Sequence, residues 1–333
     1  MGGKALTRYG VFTERKNTTE FKILGDEIRA RLATDHPMLE TAIVTCYNAK
    51  PDHGDIDLLV KCPKECNIDW KKYVAETFSP QAIYCNGGVS SFDYKNFQVD
   101  LIPINAKNWN TAICYFSYDP IGNIMGKTYH KFGLSYGWDG LYYRFRNFHG
   151  SNSRNILIST DIGKIFEFGG YDYEMFLDGF ETLEEIYKFA INSKFFDSQM
   201  FQIESLGSND RKRNRKRNSY HLFLKYLEDN NINTKFIFDS NKDNYLDAIN
   251  NYFPEARFFE QLDALKKTDA RNKMIASKFS GDDIMLFHPT LQGRELGNAI
   301  TKFKNHLGDS YDDFILDNDL LTIMIAFDVI NNL

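Results

Sequence analysis

Three aspartates have the spacing to do chemistry together. Asp55 and Asp57 open an apolar run, DIDLLV, and Asp100 lies inside a second one, FQVDLIPI. Side chains two apart on a strand project from the same face. Asp55 and Asp57 therefore point one way, while Ile56 turns towards a core. If the strand bearing Asp100 lies beside them, three carboxylates converge and repel one another unless a cation neutralises them. A few oxygen ligands that leave open positions suit magnesium held together with substrate phosphates. Two such ions roughly 4 Å apart activate an attacking hydroxyl and stabilise a leaving pyrophosphate. On these residues alone the alternation also fits a half-exposed strand whose aspartates face solvent, and both readings stand at this point.

The elements that must position this triad are legible from periodicity. Phe21, Leu24, Ile28 and Leu32 recur at helical spacing up to His36-Pro37. Residues 41–46 (TAIVTC) read as a buried strand, and the polar turn Pro51-Asp52-His53-Gly54 leads into a strand over 55–60. Trp70, Tyr73, Val74 and Phe78 mark another amphipathic helix. Strands over 89–94 and 97–104 follow, joined by a turn at Asp93-Tyr94-Lys95-Asn96. Residues 112–114 read as one more apolar strand. From Pro120 onward the pattern turns largely helical, with helical periodicity at 183–191, 220–227, 256–265 and 320–330. The polar stretch 205–218 is the expected linker or domain boundary. The class is therefore α+β, a sheet flanked by helices and followed by helical regions.

Composition bounds the function classes. With 333 residues the chain can bury two or three cores, and 43 % hydrophobic with 26 % charged residues is ordinary for a globular protein. A net charge of −5 excludes a molecule that binds polyanions with its whole surface, so any nucleic-acid contact must come from a local basic patch. The five cysteines (Cys46, Cys62, Cys66, Cys85 and Cys114) lack the paired spacing of a zinc site and read as reduced thiols. No apolar run reaches the length of a membrane span, and no signal-peptide core opens the chain. Met1-Gly2-Gly3 resembles a myristoylation start, but Leu6 stands where Ser or Thr is required. The expectation is a cytoplasmic protein.

Four pieces in order, HGDIDLLV, FQVDLIPI, YFSYDPIGN and YHKFGLSYGWDGLYYRF, resemble the palm and thumb of the DNA polymerase beta family (family X) within the nucleotidyltransferase superfamily. The match runs over residues 41–146. With the helical pattern beyond it, the expected division is a nucleotidyltransferase palm over 1–114, a thumb-like, mostly helical region over 115–204, and a helical C-terminal domain with a basic linker over 205–333. The resemblance implies ligation of two Mg²⁺ ions, with Mn²⁺ as a substitute, by Asp55, Asp57 and Asp100, the last also lying near the primer hydroxyl. Thr45, Gly54, Tyr115, Phe116 and Asn123 fall at nucleotide-binding positions, Tyr115-Phe116 beside the incoming sugar and Asn123 at the base. The implied partners are a nucleoside triphosphate and a DNA or RNA primer.

This sequence departs from the family where triphosphate is held. Val44-Thr45 replaces a Gly-Ser pair, so Thr45 keeps a hydroxyl but Val44 loses the glycine's close backbone approach. Asn48 stands in place of a phosphate-binding Arg. With 54 residues before Asp55, the family's lyase and helix-hairpin-helix domains are not expected. Gly2-Gly3-Lys4 would supply phosphate donors if the N-terminus folds over the site.

Six cations in seven positions, Arg211, Lys212, Arg213, Arg215, Lys216 and Arg217, form the expected contact to a phosphate backbone. Leu291-Gln292-Gly293-Arg294-Glu295-Leu296-Gly297, with Ile300 and Phe303, loosely resembles the helical body of tRNA CCA-adding enzymes and poly(A) polymerases. A helix packed through Gly297 explains that stretch equally. The sequence thus points to a polymerase-beta-like enzyme extending a polynucleotide 3′ hydroxyl. The alternatives are a template-independent RNA terminal nucleotidyltransferase and a non-catalytic nucleic-acid-binding protein.

Overall fold

Asn17 starts the first long helix. Its side chain accepts the Glu20 backbone N–H while the Glu20 carboxylate takes the Asn17 N–H, a reciprocal cap that satisfies two otherwise orphaned donors. The computed structural model describes residues 3–64 and 66–333, with only the backbone at 152–155. A short strand β1 (Lys16–Asn17) leads into α1 (Thr18–Asp35), whose buried row is Leu24, Ile28 and Leu32. Then come β2 (Glu40–Ile43), β3 (Asp52–His53), β4 (Asp55–Cys62), α2 (Trp70–Phe78), β5 (Ile83–Asn86), β6 (Val89–Tyr94) and β7 (Phe97–Asn105). Lys95 and Asn96 both have positive φ (48° and 62°), the backbone that a two-residue hairpin turn requires between β6 and β7.

Five of these strands form one mixed sheet in the order β2-β4-β7-β6-β5. β4 and β7 run parallel, and the other neighbours are antiparallel. Ile56, Leu58 and Val60 of β4, with Val99 and Leu101 of β7, pack under α1 and α2. The opposite face is split. Leu59, Ile102 and Ile104 at its C-terminal half are covered by Trp109 and Ala112, and its N-terminal half carries the aspartates. One short helix covers the apolar half, and the N-terminal segment lies over the polar half. The α+β reading, a mixed sheet flanked by helices, holds.

Two local expectations are corrected. Residues 112–114 are not a strand but the middle of α3 (Trp109–Phe116), which follows a 3-10 turn over Ala106–Asn108 capped by an Asn105 side chain that accepts the Lys107 N–H. A short apolar run cannot be assigned by periodicity alone, and here burial against Leu59 and Ile102 decides for helix. The strand over 41–46 stops at Ile43 and is a half-buried edge strand, because only β4 pairs with it.

Beyond α3 come α4 (Ile121–Lys131), β8 (Leu134–Gly137), β9 (Gly140–Arg146), β10 (Asn152–Ser159), α5 (Ile162–Phe168), α6 (Tyr173–Asp178), α7 (Leu183–Ile191), α8 (Ser208–Asn214), α9 (Asn218–Asp229) and α10 (Leu246–Tyr252). The three-stranded sheet β10-β9-β8 interrupts what periodicity presented as helical. The stretch 205–218, expected as a linker, contains α8, whose Asn214 is fully buried.

The chain divides into two compact units, one of Met1–Arg144 with Arg154–Ala256, the other of Phe145–Ser153 with Arg257–Leu333. The second unit contains α11 (Phe258–Lys278), α12 (Gly281–Phe287), α13 (Gly293–Leu307), α14 (Tyr311–Asp317) and α15 (Leu320–Asn331). Its core is built on Phe279, Phe303 and Phe327, whose rings contact one another. A Cβ at Gly297 would meet nothing within 4 Å, so α13 is not packed through that glycine. Among the described residues, no helix is long and apolar enough to cross a membrane.

Candidate active site

Parallel pairing of β4 with β7 brings the triad together. Asp57 lies opposite Asp100 in the register, and Asp55 opposite Gln98. One carboxylate oxygen from each of Asp55, Asp57 and Asp100 lies within 4.8 Å of the others. Burial raises all three, and repulsion by neighbouring carboxylates adds to it at Asp57 and Asp100. Asp57 is pushed well above the ordinary carboxyl range by burial, then by Asp55, Asp100 and Asp119. Asp100 is raised to about 6 by burial and by Asp55, and Asp55 is raised by burial. Among the described residues no hydrogen-bond donor reaches the Asp57 carboxylate, whereas Asp55 has the Gly3 N–H and Asp100 has Gln98 and Ser91. A sequestered carboxylate without a donor, between two others, has the chemistry of a cation ligand.

The N-terminal segment folds onto this cluster. The Gly3 N–H donates to Asp55 Oδ2 at 3.0 Å, and the Thr13 hydroxyl donates to Gly3 O at 3.0 Å. A side chain is excluded there, because a Cβ on Gly3, at φ +82°, would lie 2.2 Å from Gly54 O. The segment expected to cradle phosphate thus directs its Gly3 donor to a carboxylate. Lys4 is exposed, and Gly2 lies outside the described residues. The Ala5 N–H donates to Gln98 Oε1 at 2.8 Å, and Gln98 Nε2 donates to Asp100 Oδ1 at 2.9 Å.

The loop after β2 ties the triad to the rest of the site. The Val44 N–H donates to Asp57 O, and Thr45 O accepts the Tyr118 N–H. Thr45 is exposed and Gly54 is buried under Gly3. Lys50 ends this loop, its backbone oxygen held by the Thr18 hydroxyl and its ammonium 3.3 Å from Cys46 Sγ. Its charge draws the Asp55 and Asp57 carboxyls down, against their burial. Sequence reasoning missed Lys50. The signal available was a lysine two positions beyond Asn48, where the resemblance calls for a cation. His53, stacked on Phe21 at 3.8 Å, is held at about 4 chiefly by burial, so it is a neutral packing group.

Tyr115 and Phe116 end α3. The Tyr115 ring packs edge-on against Phe116 and Tyr136, and a Cβ on Gly122 would lie 2.5 Å from Tyr115 O. The start of α4 therefore closes tightly on this segment. Asn123 Nδ2 donates to Asn214 Oδ1 at 2.8 Å, a partner hidden in the sequence inside the basic run. Of that run, Arg211 binds the carbonyl oxygens of Glu204 and Leu206, and Arg217 is half-buried near Asp119. Lys212, Arg213, Arg215 and Lys216 are exposed. All five cysteines are free, and burial with a Cys66 partner raises Cys62 to about 12.

No protein-family model matches the chain, and no curated protein matches it. Among solved structures, two of Leishmania infantum polymerase beta, a ternary P/T complex and a ternary gap complex, are similar to 39 % of this chain. The identity is 16 % and the TM-score 0.32 in both cases. The chain covers 58 % and 51 % of those structures, less than two thirds of each.

Proposed function

We propose that this chain is a metal-dependent nucleotidyltransferase, of the DNA polymerase beta type, that extends a polynucleotide 3′ hydroxyl and releases pyrophosphate. The observation that carries this is the convergence of Asp55, Asp57 and Asp100 within 4.8 Å, with Asp57 reached by no donor among the described residues. These oxygens fit hard dications such as Mg²⁺ or Mn²⁺, which when bound supply Lewis acidity at the attacking and leaving oxygens. Asp55, Asp57 and Asp100 hold them, and Asp100 also lies by the acceptor hydroxyl. Lys50 offsets triphosphate charge, with the exposed Thr45 hydroxyl as a further phosphate contact, whereas Gly54, expected beside the phosphates, is buried under Gly3. Tyr115 and Phe116 form a wall beside the sugar. Asn123, held by Asn214 through one amide hydrogen, offers its carbonyl to a base. Residues 1–114 serve as the palm. A non-catalytic protein would keep the triad's repulsion without using it, which counts against that alternative.

The deciding experiment supplies Mg²⁺, labelled ATP or dATP, and DNA or RNA primers with and without template. Deoxynucleotides are expected to be preferred, because a rigid wall at Tyr115 denies a 2′-hydroxyl its hydrogen bonds to water. Tyr115→Ala should relax that preference. Efficient ATP use by the unmodified protein would instead favour the template-independent RNA terminal transferase.

The exposed cations of α8 and the turn after it serve the primer. Neutralising Lys212, Arg213, Arg215 and Lys216 should weaken polynucleotide binding while leaving the fold intact, since Arg211 and Arg217 make the structural contacts. Each cation withdrawn from a phosphate lowers the slope of log affinity against log salt by roughly 0.7 to 0.9. A titration series with an unchanged slope would show that α8 does not touch the backbone.

A further inference from the structure

We infer that Gln98 is a positioning residue of the cation site and that the N-terminal segment sets its direction; this rests on the metal-dependent reading above. Gln98 is 2 % exposed and lies on the same face of β7 as Asp100, two residues along. Its amide stands between a donor that cannot accept, the Ala5 N–H, and an acceptor that cannot donate, the Asp100 carboxylate. Only one amide orientation satisfies both. With the oxygen taken by Ala5, the NH₂ must face Asp100 Oδ1. Turned the other way, the amide would set oxygen against carboxylate and N–H against NH₂, inside a buried site where unmet polar groups are costly.

The same segment acts on the second carboxylate directly, through the Gly3 N–H on Asp55 Oδ2. It is no loose strap. Leu6 is 1 % exposed, and the Thr13 hydroxyl closes the segment at Gly3 O. Residues 3–5 thus commit one oxygen of each outer carboxylate and leave Asp57 without a donor. That is the arrangement of an oriented ligand set, in which partners behind the ligands fix how they present themselves to the ion. The glycine at position 3 is required by the close approach to Gly54, which is why the segment passes so near Asp55.

The test is Mn²⁺ binding to the full chain, followed by electron paramagnetic resonance and calorimetry, alongside turnover against Mg²⁺ concentration. Gln98→Leu keeps bulk but removes both hydrogen bonds. It should weaken Mn²⁺ binding by roughly 10- to 100-fold, the usual cost of losing such a partner. Turnover should recover at high Mg²⁺, with the Michaelis constant for nucleotide little changed. If Gln98→Leu fails to fold, deletion of residues 2–5 asks the same question with Gln98 kept, and should weaken Mn²⁺ binding by a smaller factor. Unchanged Mn²⁺ affinity in the folded variants overturns the inference, as does higher affinity or faster turnover on deletion, which would make the segment a shield. If the unmodified chain binds no Mn²⁺, this inference falls together with the proposed function. If it binds Mn²⁺ but transfers no nucleotide, only the proposed function falls, and the variants still decide the role of Gln98.

Discussion

Asp57→Asn lowers turnover by on the order of a thousandfold or more while the protein stays folded, and Asp100→Asn does the same. Each substitution keeps the shape of the side chain and removes one formal charge from the cluster of three carboxylates proposed to hold the ions. A dication's stabilisation of transition-state charge amounts to several kcal/mol, and each 1.36 kcal/mol is about tenfold in rate. Asp57 is the more sensitive position, because it is flanked by both other carboxylates and its oxygens meet no donor among the described residues. The two substitutions act on one unit, so the double variant should be little worse than either single one. Single-turnover measurements at ordinary Mg²⁺, with circular dichroism to verify folding, check this. Full activity in either variant ends the two-metal proposal.

Addition of Mg²⁺ raises the melting temperature markedly at pH 8 and hardly at all at pH 5. The sign follows from the carboxyls. Asp100 titrates at about 6 in the folded protein against an ordinary value of 3.8, and Asp57 is raised well above that value. A carboxyl raised on folding holds its proton more tightly in the native state. Its contribution to stability is therefore full at low pH and is lost as pH rises through the folded value. At pH 8 Asp100 carries its charge beside the other two carboxyls, and a dication relieves that repulsion. At pH 5 Asp100 already holds its proton, and the upward shift of Asp57 acts in the same direction.

Binding at a hundredfold excess over the dissociation constant adds about 2.7 kcal/mol, on the order of 5 to 10 °C for a unit of this size. Asp57→Asn should raise the metal-free melting temperature at pH 8 and abolish the response to Mg²⁺. The pH trend of the metal-free protein alone is a poor test. His53 and His130, both held at about 4 by burial, gain stability as pH rises over the same range. Comparing samples with and without Mg²⁺ at each pH cancels the histidines. An equal Mg²⁺ response at pH 5 and pH 8 would sink the assignment of the cluster as the cation site.

Much of the carboxylate cluster is legible in the sequence. The alternation Asp55-Ile56-Asp57 determines that two carboxylates share a face, because strand geometry alone puts them there. The apolar frame around Asp100 makes it part of a strand, and Lys95-Asn96 marks the hairpin before it. Leu24, Ile28 and Leu32 define the face of α1 that meets the sheet. These are short-range facts, written in the periodicity of neighbouring residues.

What only the tertiary structure decided lies in contacts between distant segments. Parallel pairing of β4 with β7 set Asp57 against Asp100, a register that no local pattern specifies. Residues 112–114 became helix because the apolar half of the sheet needed a cover, and a short apolar run carries no period of its own to resist it. Gly3, Ala5 and Gln98 took their places around the carboxylates through bonds spanning 52 and 93 residues of chain. Asn214, which read as one polar residue among arginines, is buried against Asn123. Side-chain periodicity tells a residue which way to face. Which partner it meets there is settled by long-range strand pairing and by the need to satisfy every polar group that folding buries.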